Sequence, residues 1–188
     1  FNSQKEKRSS SKAKKAIILG SEGVITKKVE SELKSLGLTF SRLGGKNRYE
    51  TAALIAAQLG NTDKAVVAYG MNFPDALAIA PYAAQKGYPI LLSKTHELPA
   101  PTKQALTGKK ETIFVGGKSI LSDAVIKQAP NGKRISGANR FDTAAAIIKQ
   151  YQPDASNAYV ATGMNFADAL TGSVLAAKKN GAMVLVNP

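Results

Sequence analysis

The chain contains one pattern twice. Gly70-Met71-Asn72-Phe73-Pro74-Asp75-Ala76-Leu77 returns as Gly163-Met164-Asn165-Phe166-Ala167-Asp168-Ala169-Leu170, 93 positions later and with one change in eight. The surroundings repeat as well. Thr112-Ile113-Phe114-Val115-Gly116 matches Ala16-Ile17-Ile18-Leu19-Gly20, and Met183-Val184-Leu185 matches Ile90-Leu91-Leu92. The block from Arg134 to Thr143 matches Arg42 to Thr51. Such a period is too long for a solenoid repeat of about 20–50 residues and signals a duplicated unit of roughly 90. Within each copy, short apolar runs alternate with amphipathic stretches. This pattern implies parallel strands joined by helical crossovers. The expected division is a polar, basic tail over residues 1–15, a first copy over 16–108 and a second over 109–188. The second copy lacks a counterpart of the Leu98–Leu106 segment, and the chain starts at Phe1 rather than Met. Both features suggest a piece cut from a longer array.

Local signals place the repeated polar residues at element boundaries. Asn47 stands three before Glu50, and Asn139 three before Asp142, each pair ahead of an apolar-periodic stretch. This is a capping box with Asn in the Ser/Thr place. Asn72 with Asp75, and Asn165 with Asp168, have the same spacing and are expected to cap the next helices. Gly37 is expected to end a helix over residues 25–36. Pro81 lies inside the helix expected over 73–86 and should kink or shorten it.

Charge narrows the partners. The net charge is +13, of which residues 1–15 carry +5 and the remainder +8. A basic folded part favours an anionic partner. Cysteine and tryptophan are absent, which removes disulfides, thiol nucleophiles and the strongest stacking platforms. No apolar run reaches the length of a membrane span, about 20 residues.

Catalytic chemistry finds little support. Gly117-Lys118-Ser119 resembles the end of a phosphate loop, but the glycine required five positions earlier is Thr112. Neither Gly70 nor Gly163 carries the further glycines of a dinucleotide turn. The repeated acids Glu50, Asp75, Asp142 and Asp168 could form a hydrolytic pair. Each, however, sits at an expected helix start, where the dipole should lower a carboxyl pKa, whereas a general acid needs a raised one. His96 is the single histidine, so neither a metal site nor a histidine triad is expected. No cofactor is expected. Arg48 and Arg140 fall at first helical positions, where the dipole disfavours a cation. Two readings stay open: an ion pair with Asp75 or Asp168 of the same copy, or an anionic ligand held at the helix start. Phe73 and Phe166 read as first-turn core residues or as a stacking surface.

The blocks Arg42–Thr51, Gly70–Leu77, Pro89–Leu92 and Phe114–Gly117 together resemble the cell wall binding repeat 2 family of Gram-positive surface proteins and wall hydrolases. The resemblance implies tandem Rossmann-like or toprim-like α/β units with short parallel sheets flanked by helices. It also implies non-covalent attachment to an anionic wall polymer, a teichoic acid or secondary wall polysaccharide, in a secreted protein of the cell surface. Family members usually carry three repeats around a pseudo-threefold axis, so a third repeat, an effector domain or an oligomer outside this chain is expected. Departures within the motifs are Ser136 for Gly44, Ala138 for Lys46 and Ala167 for Pro74. The expected polymer-contacting residues are Arg42, Asn47, Arg48, Asn72, Asp75, Arg134, Asn139, Arg140, Asn165 and Asp168, in a non-catalytic module. A nucleic-acid-binding protein and the targeting part of a peptidoglycan hydrolase are the alternatives. Of these, nucleic acid is not the expected partner.

Overall fold

The computed structural model describes residues 13–188. Most of the expected tail, residues 1–12, lies outside the described residues, and Lys15 already belongs to the first strand. Among the described residues, strands and helices alternate throughout: β1 (Lys15–Leu19), α1 (Lys27–Ser35), β2 (Thr39–Leu43), α2 (Arg48–Gln58), β3 (Lys64–Tyr69), α3 (Pro74–Lys86), β4 (Ile90–Ser93), α4 (Ala100–Leu106), β5 (Glu111–Val115), α5 (Asp123–Ile126), β6 (Gly132–Ile135), α6 (Arg140–Tyr151), β7 (Asn157–Thr162), α7 (Ala167–Lys178) and β8 (Gly181–Val186). All strand pairs are parallel, so the α/β class follows from the alternation as expected.

The sheets are out of phase with the sequence repeat. A four-stranded sheet runs β4-β3-β5-β6, flanked by separate two-stranded sheets β1-β2 and β7-β8. The second half of the first copy therefore pairs with the first half of the second. The seam is β3 against β5, with Val66 opposite Ile113 and Val67 opposite Phe114. Both strands are continuous apolar runs because both faces of this sheet are covered. Val66, Ile113 and Val115 point to a core shared with α3, α6, α7 and β8, through Leu77, Ile79, Ile147, Ala169 and Met183. Val67 and Phe114 point the other way, to Ala56, Leu91, Leu106, Leu121 and Val125.

Helix α3 is the joint between the copies. It packs on α6, α7 and β8, and Tyr82 meets Tyr151 with ring centroids 4.9 Å apart. It also runs for thirteen residues through Pro81, so the expected shortening does not occur. Proline in a helix interior costs about 3 kcal/mol in propensity. Here Leu77, Ala78, Ile79, Tyr82 and Ala83 are all buried around it, and tertiary packing of this extent outweighs that cost.

Candidate functional site

The repeated turn is built around an aromatic ring. Gly70 carries no side chain because a Cβ there would lie 2.7 Å from Cε1 of Tyr49, and one on Gly163 would lie 2.6 Å from Cε1 of Phe141. Arg48 and Arg140 then reach over the turn of their own copy. Arg48 Nη1 donates to the Gly70 carbonyl and Arg140 Nη1 to the Gly163 carbonyl, both at 2.6 Å. These bonds hold a cation at a helix start that would otherwise repel it. The pairing expected within each copy is absent: among the described residues neither Arg48 with Asp75 nor Arg140 with Asp168 forms an ion pair, and the turn carbonyl takes the arginine instead.

The helix caps divide into two kinds. Asn47 Oδ1 accepts from the backbone of Tyr49 and Glu50, and Asn139 Oδ1 from Phe141 and Asp142, all at 2.9–3.0 Å. The asparagine half of each expected box forms, whereas the acid half differs: Glu50 Oε2 accepts from the Lys46 N–H and Asp142 Oδ2 from the Asn139 side-chain amide. The Asn72 and Asn165 caps do not form. Helices α3 and α7 have Phe73 and Phe166 at the cap position, without a side-chain cap bond. Asn72 accepts only from the Phe73 N–H, and Asn165 from those of Phe166 and Ala167. Each Asn sits one residue too early to cap, and it shapes the turn instead.

Freed from a capping role, Asp75 faces the other copy. It lies against the turn after β5, where a Cβ on Gly116 would come within 2.9 Å of its Oδ2. That contact and a φ of +131° keep the position glycine. Burial pushes the Asp75 carboxyl up from its ordinary 3.8 to about 6, and the positive charge of Arg140 opposes the rise. This reverses the lowered value expected from the helix dipole, because desolvation between the copies outweighs it.

Asp75 and Arg140 line an open cleft of about 180 Å³, with Asn72 from the first copy and Gly117, Ser119, Asn139 and Thr143 from the second. The turn bearing Gly137 is pinned beside it, its N–H donating to Thr143 Oγ1 at 2.9 Å. Four of the ten residues expected to contact polymer therefore converge at the junction of the copies: Asn72, Asp75, Asn139 and Arg140. Asn47, Arg48, Asn165 and Asp168 occupy the equivalent places on the outward sides of the copies, and all are exposed. Arg42 and Arg134 hold structure together. Arg42 donates to Glu30 Oε1 and the Gly20 carbonyl. Arg134 donates to the Gly116 and Leu121 carbonyls and to Asp123. Gly117 and Ser119, which the sequence offered only as an incomplete phosphate-loop match, also line the cleft. Phe73 and Phe166 meet edge to face at 5.9 Å, again across the copies. A larger groove of about 670 Å³ between α2 and α4 is lined by Ala53, Leu54, Ala57, Pro101 and neighbours. The smaller cleft is the better candidate because charged and amide groups converge there.

A basic, two-copy α/β module with a polar cleft at the junction of its copies defines a binding domain built from repeats. The chain belongs to the cell wall binding domain 2 family, whose model matches residues 42–126 and 134–188. It is 38% identical over 176 residues to the N-acetylmuramoyl-L-alanine amidase LytC of Bacillus subtilis, covering 93% of this chain and 36% of that protein. It is 42% identical over 173 residues to the amidase enhancer of the same organism, covering 90% of this chain and 24% of that one. Among solved structures it resembles Cwp6 from Clostridium difficile, with a TM-score of 0.88 at 30% identity over 99% of this chain and 32% of the other. Cwp8 from the same organism gives 0.81 at 37% identity over 93% and 31%. The chain thus spans about a third or less of the length of these proteins. Its function is cell-wall binding, and no described helix is long and apolar enough to cross a membrane.

Proposed function

We propose that this chain anchors a secreted protein to the Gram-positive wall by holding an anionic polymer non-covalently, without catalysing a reaction. The match to the cell wall binding domain carries this reading, and the cleft where Arg140, Asp75 and two asparagines converge offers the polymer a polar seat between the copies. The excess of basic residues supplies the long-range attraction. The likeness to an amidase and an amidase enhancer supports a targeting role beside an attached effector. The two outer half-sheets support a further repeat, which would cover the faces they leave bare. The experiment is sedimentation of the chain with purified walls over a salt series. Retention that falls steeply with salt, and is lost on walls stripped of teichoic acid and other anionic polymers, supports the proposal. Undiminished retention on stripped walls overturns it.

A further inference from the structure

We propose that the inter-copy cleft binds a hydroxyl-bearing sugar or polyol unit of the wall polymer, with Asp75 accepting from the hydroxyls and Arg140 donating to them. This deepens the wall-binding reading and rests on it. The cleft is poorly made for the polymer's negative groups. The N–H groups of Phe141 and Asp142 at the start of α6 are already taken by Asn139 Oδ1, and the uncapped start of α3 brings the Asp75 carboxylate into the same space, so neither helix start offers a phosphate a nest free of negative charge. A phosphodiester carries acceptors only, and here it would face a carboxylate. Among the described residues no donor reaches the half-buried Asp75 carboxylate, which opens on the cleft, so its partner there is water or a ligand group that donates. An ammonium would supply donors but would lie beside the guanidinium of Arg140. A hydroxyl group satisfies both neighbours, since it donates and accepts without charge. Asn72, Asn139 and Ser119 add amide and hydroxyl groups around the same space.

Arg140 is the charged group acting on Asp75. Lys118, on the adjacent turn, is drawn to Asp123 at 3.1 Å. The ionised carboxylate is the form that accepts two hydroxyls, and burial has brought its titration to about 6. Sugar binding should therefore weaken about tenfold between pH 7.5 and 5, as the ionised fraction falls. A bound anion would show the opposite trend.

The test is a titration of the full chain, with backbone amide NMR shifts of Asn72, Gly117 and Ser119 as readout. N-acetylglucosamine and glycerol serve as hydroxyl probes, glycerol phosphate and inorganic phosphate as anion probes. Saturable shifts with the hydroxyl probes, weakening at pH 5, are expected. Asp75→Asn should weaken these probes about tenfold and abolish the pH dependence, with an otherwise unchanged amide spectrum. Preferential shifts with phosphate, tighter binding by Asp75→Asn, or no cleft response to either hydroxyl probe would overturn the proposal. If the unsubstituted chain fails to sediment with walls at low salt, the wall-binding reading itself falls. If it sediments but the cleft does not respond to hydroxyl probes, only the sugar site falls.

Discussion

Val67 and Val160 hold the same place in the two copies, yet Val67 is 0% exposed and Val160 65%. Ile113 and Ile17 are likewise equivalent, at 0% and 58%. The buried member of each pair lies in the four-stranded sheet, where β3 and β5 meet. The exposed member lies in a sheet that has only two strands among the described residues. In this fold the repeat determines the chain path and the hydrogen-bonded turns, whereas the neighbouring copy determines burial. Each copy brings a β1-type pair and a β3-type pair of strands, and a whole sheet forms only where two copies meet.

The sharpest way to break this comparison is to place the same charge at equivalent positions. Val67→Asp buries an unpaired carboxylate between two covered faces and should cost more than about 4 kcal/mol, enough to unfold the chain. Val160→Asp should change stability by no more than about 0.5 kcal/mol, as exposed substitutions do. Urea denaturation of the two variants measures both. Equal losses would mean that β7 is covered in solution. In a polypeptide carrying a further repeat beside β7, Val160→Asp should become as damaging as Val67→Asp.

The next contrast is between Asp75 and Asp168. Asp75 faces the other copy with its pKa raised to about 6 from 3.8, while its equivalent Asp168 is exposed. The fold favours the protonated Asp75, so its stabilising contribution is complete below pH 3.8 and is lost as the pH rises through about 6. The loss amounts to at most about 3 kcal/mol. Asp75→Asn should flatten this part of the stability profile and raise the midpoint of thermal unfolding at pH 7. Asp168→Asn should leave both unchanged. A variant that gains stability while losing sugar binding would mark Asp75 as a residue kept for function at a cost to the fold.

Much of this could be read from local sequence. Strands β1, β3, β4, β5, β7 and β8 announced themselves as apolar runs, the Asn47 and Asn139 caps by their spacing to Glu50 and Asp142, and Arg48 and Arg140 by their awkward place at helix starts, whereas β6, with Lys133 and Arg134 among its four residues, gave no such signal. These features depend on neighbours within a few residues, which both copies share. Strand order could not be read this way. Nothing in β3 says whether β5 of the other copy or β1 of its own lies beside it, because both are equally apolar. Asp75 was misread for the same reason. Its spacing from Asn72 matches a cap, but the helix starts one residue later than that reading requires. The Gly116 turn that lies against it and the Arg140 charge that acts on it both belong to the second copy.

Where both members of a pair depend only on their own copy, equal effects are expected. Gly70→Ala and Gly163→Ala should each force a methyl group against the ring of Tyr49 or Phe141. Each should cost about 2 kcal/mol in chemical denaturation, the usual scale for overpacking. Unequal losses would mean that the open side of the second copy can yield.

The smallest effect tests the local rule most directly. Asn47→Ala and Asn139→Ala each remove an oxygen that accepts two backbone N–H groups, and each should cost about 1 kcal/mol. The two helices differ in surroundings, since α6 lies under α3 whereas α2 lies against α4 and β4. A cap acts through its own first turn, so this difference should not alter the loss. If Asn139→Ala cost several times more than Asn47→Ala, Asn139 would also be holding the two copies together, and the cleft would depend on its cap as well as on Asp75 and Arg140. Equal losses would confine Asn139 to its cap and its bond to Asp142, with no role in the joint.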